Sequence, residues 1–349
     1  MRELMLVARP DYGGALHEEA VRRFGGGSAV PVHPDEPGVV RLTGEAVPRA
    51  WREGRNTLIF AAQWLSDPEL VPAAEVPHRT MIEGLSALAG GVAPWTMHAF
   101  ASGRDTEEGL YKTAGRLGDA LLAACAEQVP DLYRRFVPPR KAGAEAKVFQ
   151  LCLTAKGAWW SLMQVRDLLD PFPGGEHRMP FDSAAPCRSY LKLEEAFDIM
   201  GKSPRKGDRV VDLGASPGGW SYAFLKRGCE VLAVDRGPMK IPDRHSSGGR
   251  VRHMRVDGVG FHPPREWDQV DWLACDMLVP PGATMGLLRR WLEEGRVRRF
   301  VVNFKMPQQH PDPILEPIEE MLNGIPRLRF RIRQLYHDRR EVTAMGEVK

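Results

Sequence analysis

The sequence predicts an α/β fold: a mostly parallel sheet with an antiparallel end strand in the second half, preceded by an α+β region. From residue 187 onward, short apolar runs alternate with helical patterns, which is typical of a parallel sheet covered by helices. A glycine-rich turn joins the first of these strands to a helix. Near the end, Arg327–Arg333 alternates arginine with apolar residues, the period of a half-buried strand in an antiparallel pair.

The first half of the chain mixes predicted strands with one long predicted helix. Leu4–Ala8 and Thr57–Ala62 are short apolar runs typical of strands. Leu110–Gln128 has an amphipathic helical pattern, and Val148–Leu153 and Ala158–Met163 are predicted strands joined by a short turn. This half is therefore predicted to be α+β.

Proline and glycine mark the predicted joints between domains. The segment 170–186 is dense in both and has no apolar periodicity, so it is predicted to be a linker. The 349 residues are enough for two or three domains. The linker therefore separates a first part over 1–169 from a second part over 187–349.

Composition narrows the class of protein. No apolar run approaches the roughly 18–20 residues of a membrane helix, and the N-terminus lacks the pattern of a signal peptide. We therefore expect a cytoplasmic protein without a membrane partner. The five cysteines include no C-x-x-C pair, so neither disulfides nor a metal site is expected. The net charge of +3 is compatible with a nucleic-acid partner but does not by itself indicate one.

Strands and helices alternate in the second half. The predicted strands are Arg209–Leu213, Glu230–Val234, Val251–Val256, Val270–Cys275 and Phe300–Phe304. Two predicted helices, Gly218–Arg227 and Met285–Glu294, each end just before a glycine, which is favoured after a helix C-terminus. This order predicts a parallel sheet with helices on both faces.

The glycine-rich turn VVDLGASPGGW is the strongest single motif. Gly214 permits a tight turn, and Gly218 and Gly219 let a ligand approach the backbone closely. Pro217 removes one N–H from any phosphate cradle, which favours a nucleoside with an amino-acid tail over a dinucleotide. A plain structural turn is the alternative for this motif on its own.

Three acids follow predicted strands at the edge where parallel sheets bind ligands. Asp235 ends the second strand and could accept both hydroxyls of a ribose. Asp257 follows the third strand, and a solvated turn residue is the alternative there. Asp276 is the stronger candidate, because an apolar strand delivers it directly to the edge.

Lys305 ends an apolar strand, where a lysine either extends to water or has a chemical role. Lys192 lies near the start of a helix, and Glu341 precedes the final predicted strand, Val342–Met345. With Asp276 they make a possible Lys–Asp–Lys–Glu set. A lysine can take a hydroxyl proton only if its pKa falls well below about 10.4, and both burial and a second lysine lower it.

These segments resemble the Rossmann-like class I 2′-O-ribose RNA methyltransferases with a K-D-K-E tetrad, and in particular the bacterial large-subunit ribosomal RNA cytidine 2′-O-methyltransferases called RlmM. The resemblance is carried by SYLKLEEAF, VDLGASPGGW, VDRGPM, ACDM, NFKMP and QLYHDRREVT, in this order. Less specifically, LVARPDYG and LIFAAQWL resemble the N-terminal ferredoxin-like and THUMP regions of that family. The resemblance implies a ferredoxin-like subdomain over 1–52, a THUMP-like RNA-binding domain over 53–169 and a methyltransferase domain over 187–349.

The resemblance also implies the chemistry. Lys305 would take the proton of a cytidine 2′-hydroxyl in 23S ribosomal RNA, and Lys192, Asp276 and Glu341 would complete the tetrad. The oxygen would attack the methyl of S-adenosylmethionine in line with the leaving sulfur, and the sulfonium would lower the pKa of Lys305 further. The implied cofactor contacts are Ser189, Gly214, Ser216, Pro217, Gly218, Gly219, Asp235, Asp257 and Asp276.

The expected partner is ribosomal RNA before full subunit assembly, bound by a monomer. The alternatives are the same chemistry on another RNA, an RNA-binding protein without catalysis, and a small-molecule methyltransferase. The complete tetrad counts against the last two.

Basic residues form three clusters that are either RNA contacts or solvated faces. The clusters are Arg134, Arg135, Arg140, Lys141 and Lys147; Arg289, Arg290, Arg296, Arg298 and Arg299; and Arg327, Arg329, Arg331 and Arg333.

Overall fold

The computed structural model describes residues 1–9, 11–33, 36–72, 81–102, 109–154, 156–307 and 310–349. The chain forms two compact units, Met1–Glu176 and His177–Lys349. The division falls inside the segment 170–186, for which a linker was predicted. Asp170 and His177 in this segment are buried, whereas Arg178, Pro180 and Phe181 are exposed.

The first unit is an α+β structure. In chain order it contains β1 (Glu3–Ala8), α1 (Gly13–Phe24), β2 (Ala29–His33), β3 (Glu36–Thr43), α2 (Ala46–Thr57), β4 (Ala61–Ser66), β5 (Glu69–Pro72), α3 (Met81–Ala89), β6 (Trp95–Ala101), α4 (Leu110–Gln128), α5 (Pro130–Tyr133), β7 (Lys147–Thr154) and β8 (Gly157–Gln164). In the described part of this unit the strands form two four-stranded sheets, ordered β2-β3-β1-β4 and β5-β8-β7-β6.

One strand of this unit lies elsewhere than predicted. The predicted strand Thr57–Ala62 is wrong in its first part, because α2 continues to Thr57 and β4 begins at Ala61. The helix extends this far because Val47, Ala50 and Gly54 repeat at helical spacing and are buried. Since β4 pairs with β1, the first sheet extends past residue 52, where we expected the first subdomain to end. The ferredoxin-like and THUMP-like assignments stay predictions.

The second unit confirms the α/β fold with a mostly parallel sheet. It contains α6 (Tyr190–Met200), β9 (Arg209–Leu213), α7 (Gly219–Leu225), β10 (Glu230–Val234), β11 (Arg250–Met254), β12 (Val270–Cys275), α8 (Pro281–Glu293), β13 (Val297–Lys305), α9 (Asp312–Asn323), β14 (Leu328–Arg333) and β15 (Glu341–Val348). Over the residues described, its sheet has seven strands in the order β11-β10-β9-β12-β13-β15-β14. The first five are parallel, and β15 runs antiparallel to both of its neighbours.

At the end of the sheet, the order of the last two strands differs in part from the prediction. The expected antiparallel pair forms, but β14 is the edge strand and β15 lies inside the sheet. The final strand was expected to be short, yet it runs from Glu341 to Val348, because it pairs with β13 on one side and β14 on the other. Its first residue therefore lies beside the last residue of β13.

Strand order reverses at β9, which has β10 on one side and β12 on the other. Ligands bind at such switch points, outside the carboxyl ends of the strands. Central strands such as β9 and β12 are almost wholly buried and mostly apolar, although β9 also buries Asp212, and such burial is expected when helices cover both faces. Of the helices described, none has the length and apolar character to cross a membrane.

Candidate active site

Four charged side chains meet at the carboxyl edge of the second unit's sheet, and we call them the tetrad: Lys192, Asp276, Lys305 and Glu341. Asp276 accepts from Lys192 Nζ at 3.1 Å through Oδ2 and from Lys305 Nζ at 2.8 Å through Oδ1. Both ammonium groups also donate to Glu341, one to each carboxylate oxygen. Each lysine therefore contacts both acids, and the four groups form a closed ring.

The fold explains how this ring closes. Lys305 and Glu341 are direct cross-strand partners at the ends of β13 and β15. Asp276 follows β12, the parallel neighbour of β13, so its side chain reaches the same edge. Helix α6 packs against β15 with Leu193 and Phe197 in the core. This packing leaves Lys192 only 9% exposed beside the strand ends.

The charges of the ring stabilise one another. Burial lowers the pKa of Lys305, but Asp276 and Glu341 outweigh it, so the pKa lies above its ordinary value. Burial lowers the pKa of Lys192 too, but the nearby acids Asp276, Asp338 and Glu341 outweigh it and raise this pKa. Burial opposes ionisation of Asp276, yet the two ammonium groups hold its pKa below the usual range. The expected fall in the pKa of Lys305 is therefore wrong for the protein by itself, because two carboxylates outweigh the effect of burial.

Three polar residues behind the tetrad were missed in the sequence. Asn303 Nδ2 donates to Asp276 Oδ1 at 3.1 Å, and Thr343 Oγ1 lies 2.7 Å from Asn303 Oδ1 and 3.0 Å from Asp338 Oδ2. Asn303 could have been found, because it is a polar residue in an apolar strand and lies two residues before Lys305, on the same face. Asp338 is in a loop, where the sequence carries no such signal.

The glycine-rich turn has the backbone geometry that its sequence predicts. Gly214 has φ +79° and Gly218 has φ +113°, a region that side chains rarely adopt. A Cβ on Gly214 would lie 2.7 Å from Met277 Cγ, in the loop after β12. The turn thus requires glycine both for its conformation and for its close approach to the neighbouring loop.

Asp235 is held at the end of β10. Its Oδ2 accepts from the Ser216 backbone N–H at 3.1 Å, and its Oδ1 accepts from the Gly237 N–H at 2.6 Å. A carboxylate offers about four acceptor positions, so this one keeps capacity for the hydroxyls of a ligand. The residues of the turn and Asp235 therefore form one connected surface.

Ser189 reaches the turn from the other side. A Cβ on Gly219 would overlap Ser189 Oγ, and the Ser189 carbonyl accepts from Trp220 Nε1 at 3.0 Å. The residues that were predicted to hold a cofactor from two distant segments are thus in contact. In the same turn, the carbonyl of Pro217 accepts from the Lys240 N–H at 2.8 Å.

Asp257 has a different environment. It is about half exposed, accepts from Arg236 Nη2 at 2.7 Å, and caps the following turn through the Val259 N–H at 2.8 Å. These contacts are those of the turn residue that we considered as its alternative role. Its neighbour Gly258 nevertheless approaches Met277 closely, so the loop reaches the same edge of the sheet.

A cavity of about 920 Å³ opens over the tetrad. Its lining includes all four tetrad residues and the exposed Arg188, Arg339 and Arg340. Leu278, 92% exposed, also lines it. The volume is within the ~300–1,000 Å³ of typical ligand sites, and its charged lining suits an anionic ligand.

Several arginines of the three predicted basic clusters are held by contacts within the protein. Arg299 pairs with Glu347 at 2.8 Å, Arg331 donates to the Ile199 carbonyl at 3.1 Å, and Arg333 is buried. Arg296 pairs with Asp268 and Glu294, and Arg134 with Asp131. These contacts favour a structural role for these members. The arginines around the cavity were not part of the clusters.

Comparisons with known proteins give a consistent result. Residues 185–287 match the model of the FtsJ-like methyltransferase family. The chain is similar to ribosomal RNA large subunit methyltransferase M of Marinomonas sp. (strain MWYL1), with 40% identity over 190 residues, or 51% of this chain and 53% of that protein. The protein of that name from Laribacter hongkongensis (strain HLHK9) is 43% identical over 185 residues, or 50% and 51%.

A longer match comes from the ribosomal RNA large subunit methyltransferase M of Edwardsiella ictaluri (strain 93-146). It is 35% identical over 300 residues, which cover 82% of this chain and 76% of that protein. The chain thus covers about half the length of the two relatives named before it and about three quarters of this one.

Proposed function

This chain belongs to the family of ribosomal RNA large subunit methyltransferase M, and we propose on that basis that it methylates a cytidine 2′-hydroxyl in large-subunit ribosomal RNA. The observation that carries the proposal is the closed ring of the tetrad beside the glycine-rich turn. Two lysines held by two acids at a cavity floor place an amine that, once it has lost its proton, can accept the proton of a hydroxyl group.

S-adenosylmethionine, when bound, would supply an electrophilic methyl group on a sulfonium. The residues present fit such a ligand. The positive φ angles of Gly214 and Gly218 bring backbone close to it, and Asp235 could accept its ribose hydroxyls. Pro217 has no N–H, so the turn is better suited to an amino-acid tail than to a pyrophosphate. We propose Ser189, Ser216, Gly219, Asp257 and Asp276 as the further contacts.

We propose that Lys305 is the general base. At rest it carries a proton, so it must first lose this proton before it can take one from the ribose hydroxyl. A cation bound nearby would lower its pKa and favour that loss. Lys192 contacts both acids, so it keeps Asp276 and Glu341 paired while Lys305 is neutral.

The cavity supports a polyanionic substrate. Arg188, Arg339 and Arg340 lie around the tetrad, and arginine suits contacts to phosphate. Because the relatives' name refers to ribosomal RNA, we propose this RNA as the partner, in the cytoplasm and before full subunit assembly, bound by a monomer. A THUMP-like region in the first unit would add RNA contacts.

The test incubates the protein with methyl-labelled S-adenosylmethionine and unmodified large-subunit ribosomal RNA, followed by digestion and identification of the labelled nucleoside. Labelled 2′-O-methylcytidine supports the proposal, and small-subunit ribosomal RNA serves as the control substrate. Label on another nucleoside, or none while the cofactor still binds, would refute it in favour of another RNA target or a protein that only binds.

A further inference from the structure

A chain of hydrogen bonds leads from the tetrad to a buried acid that the chemistry above does not use. Asn303 lies between Asp276 and Thr343, at 3.1 and 2.7 Å. Thr343 Oγ1 continues to Asp338, at 3.0 Å from Oδ2 and 3.3 Å from Oδ1. The Leu335 N–H donates to Asp338 Oδ2 at 2.9 Å. Asn303 and Thr343 are fully buried, and Asp338 is 8% exposed.

The direction of each hydrogen bond follows from the ionised tetrad. Asp276 is a carboxylate, so Asn303 must present its NH₂ to Asp276 and its carbonyl to Thr343. The single hydroxyl hydrogen of Thr343 is therefore donated to Asn303. Thr343 Oγ1 then has only lone pairs to offer, and the remaining bond requires a donor on Asp338. A carboxyl group can donate only when it is protonated.

The charges around Asp338 support the same conclusion. Glu341 on β15 and Glu195 on α6 are acids that disfavour a further negative charge, whereas Lys192 on α6 favours one. Burial is the largest cause, and together with the two acids it outweighs Lys192 and the Leu335 N–H, so the pKa of Asp338 is raised well above its ordinary value. Lys192 is already neutralised by Asp276 and Glu341, so it is not available as a full partner for a third carboxylate.

We propose that Asp338 is a positioning residue that keeps its proton at neutral pH and, through Thr343 and Asn303, orients Asp276 for the two lysines. A neutral Asp338 leaves the ring with two positive and two negative charges. An ionised Asp338 would stabilise the ammonium form of Lys192 further. An ionised Asp338 would also compete with Asn303 for the single hydroxyl hydrogen of Thr343. Without that hydrogen bond, the Asn303 amide could rotate so that its carbonyl faces Asp276, which would weaken the ring.

Two pairs of variants test this inference. Asp338→Asn reproduces the protonated acid, since its NH₂ can donate to Thr343 and its carbonyl can accept from Leu335, whereas Asp338→Ala removes both contacts. Thr343→Ser keeps the hydroxyl, and Thr343→Val removes it at nearly the same volume. Single-turnover methyl transfer is measured against pH, with cofactor affinity by calorimetry. The measurement of methyl transfer rests on the proposed function.

We expect Asp338→Asn and Thr343→Ser to keep most of the rate and the wild-type pH profile. Asp338→Ala and Thr343→Val should lose about tenfold or more, because each leaves buried polar groups unsatisfied, while cofactor affinity is retained. If Asp338→Asn is as slow as Asp338→Ala, or shifts the pH profile, Asp338 is an ionised group and the inference is wrong.

A second measurement depends neither on activity nor on the alanine variant folding. The infrared difference spectrum between wild type and Asp338→Asn at neutral pH should contain the C=O band of a protonated carboxylic acid. A difference spectrum with only carboxylate bands would overturn the inference while leaving the proposed function intact. Conversely, the acid band would remain if the protein proved to act on a different substrate.

Discussion

The tetrad and the glycine-rich turn lie at the same edge of one sheet, yet they depend on different properties of the chain. The tetrad consists of charged side chains from four elements, each neutralised by two others. The turn consists of backbone, with positive φ angles at Gly214 and Gly218 and a carboxylate at Asp235 that binds N–H groups. Changes of charge should therefore affect methyl transfer, and changes of backbone should affect cofactor binding.

Lys305→Ala should have the largest effect, and this effect should fall on methyl transfer but not on cofactor binding. Removing the proposed base should lower the single-turnover rate by about 10²–10⁴-fold. Cofactor affinity, measured by calorimetry, should be nearly unchanged because the turn is untouched. Lys202→Ala, at an exposed lysine of the same unit, is the matched control. Near-normal turnover of Lys305→Ala would show that another group accepts the proton.

The dependence of the transfer rate on pH should reflect the raised pKa of Lys305. Since the pKa of Lys305 is raised, the neutral amine becomes more abundant as pH rises toward that pKa. When both RNA and cofactor are subsaturating, the transfer rate should rise about tenfold per pH unit from about pH 6 to 9, because the ordinary lysine pKa of about 10.4 already lies above this range. A plateau near neutral pH would mean that the base has a lower pKa in the free enzyme.

Gly214→Ala should have the opposite effect, which falls on cofactor binding. An alanine at φ +79° is strained, and its Cβ would lie 2.7 Å from Met277. The free turn should relieve this strain of about 1–2 kcal/mol by shifting, and restoring the turn on binding should then weaken cofactor affinity by about tenfold. Gly260→Ala is the control, since its Cβ would meet nothing within 4 Å. Thermal unfolding measured alongside distinguishes a local effect on the turn from a general loss of stability, and wild-type affinity would contradict the prediction.

Asp257→Ala should have the smallest effect. Its carboxylate is about half exposed and pairs with an exposed arginine, and such pairs contribute only about 0–1 kcal/mol. Cofactor affinity should fall only slightly, whereas Asp235→Ala should lower it markedly because Ser216 and Gly237 lose their acceptor. Equal losses in the two variants would show that Asp257 is as important to the cofactor as Asp235.

Predictions from sequence succeeded where the signal was local. The strands Arg209–Leu213, Glu230–Val234 and Val270–Cys275 and the helix Leu110–Gln128 have the predicted bounds. Each strand is a short, mainly apolar run and the helix has apolar residues at helical spacing, and a glycine, a polar residue or a proline marks the ends. The strand predicted at Thr57–Ala62 failed because a helical pattern and an apolar run overlap there, and pairing with β1 decided between them.

The residues of the tetrad were found from the sequence, but its electrostatics were not. Lys305 and Glu341 each stand at the end or start of a strand, and this position singles them out. The direction of the lysine pKa shifts depends on how many acids lie within reach of each ammonium. Thr343 and Asp338 were missed because their role lies in contacts with other residues rather than in any pattern of their own, whereas Asn303 had a signal as a polar residue in an apolar strand.

The amino-acid sequence by itself determined the periods of the strands, the glycine-rich turn and the types of residue at the sheet edge, because these depend on neighbours a few residues apart. Only the tertiary structure decided that β15 lies between β13 and β14 and that the tetrad closes into a ring. Lys192 and Glu341 are 149 residues apart in the chain, yet their charged atoms are in contact. Coulomb energy depends on distance in space and on burial, and the fold alone sets both.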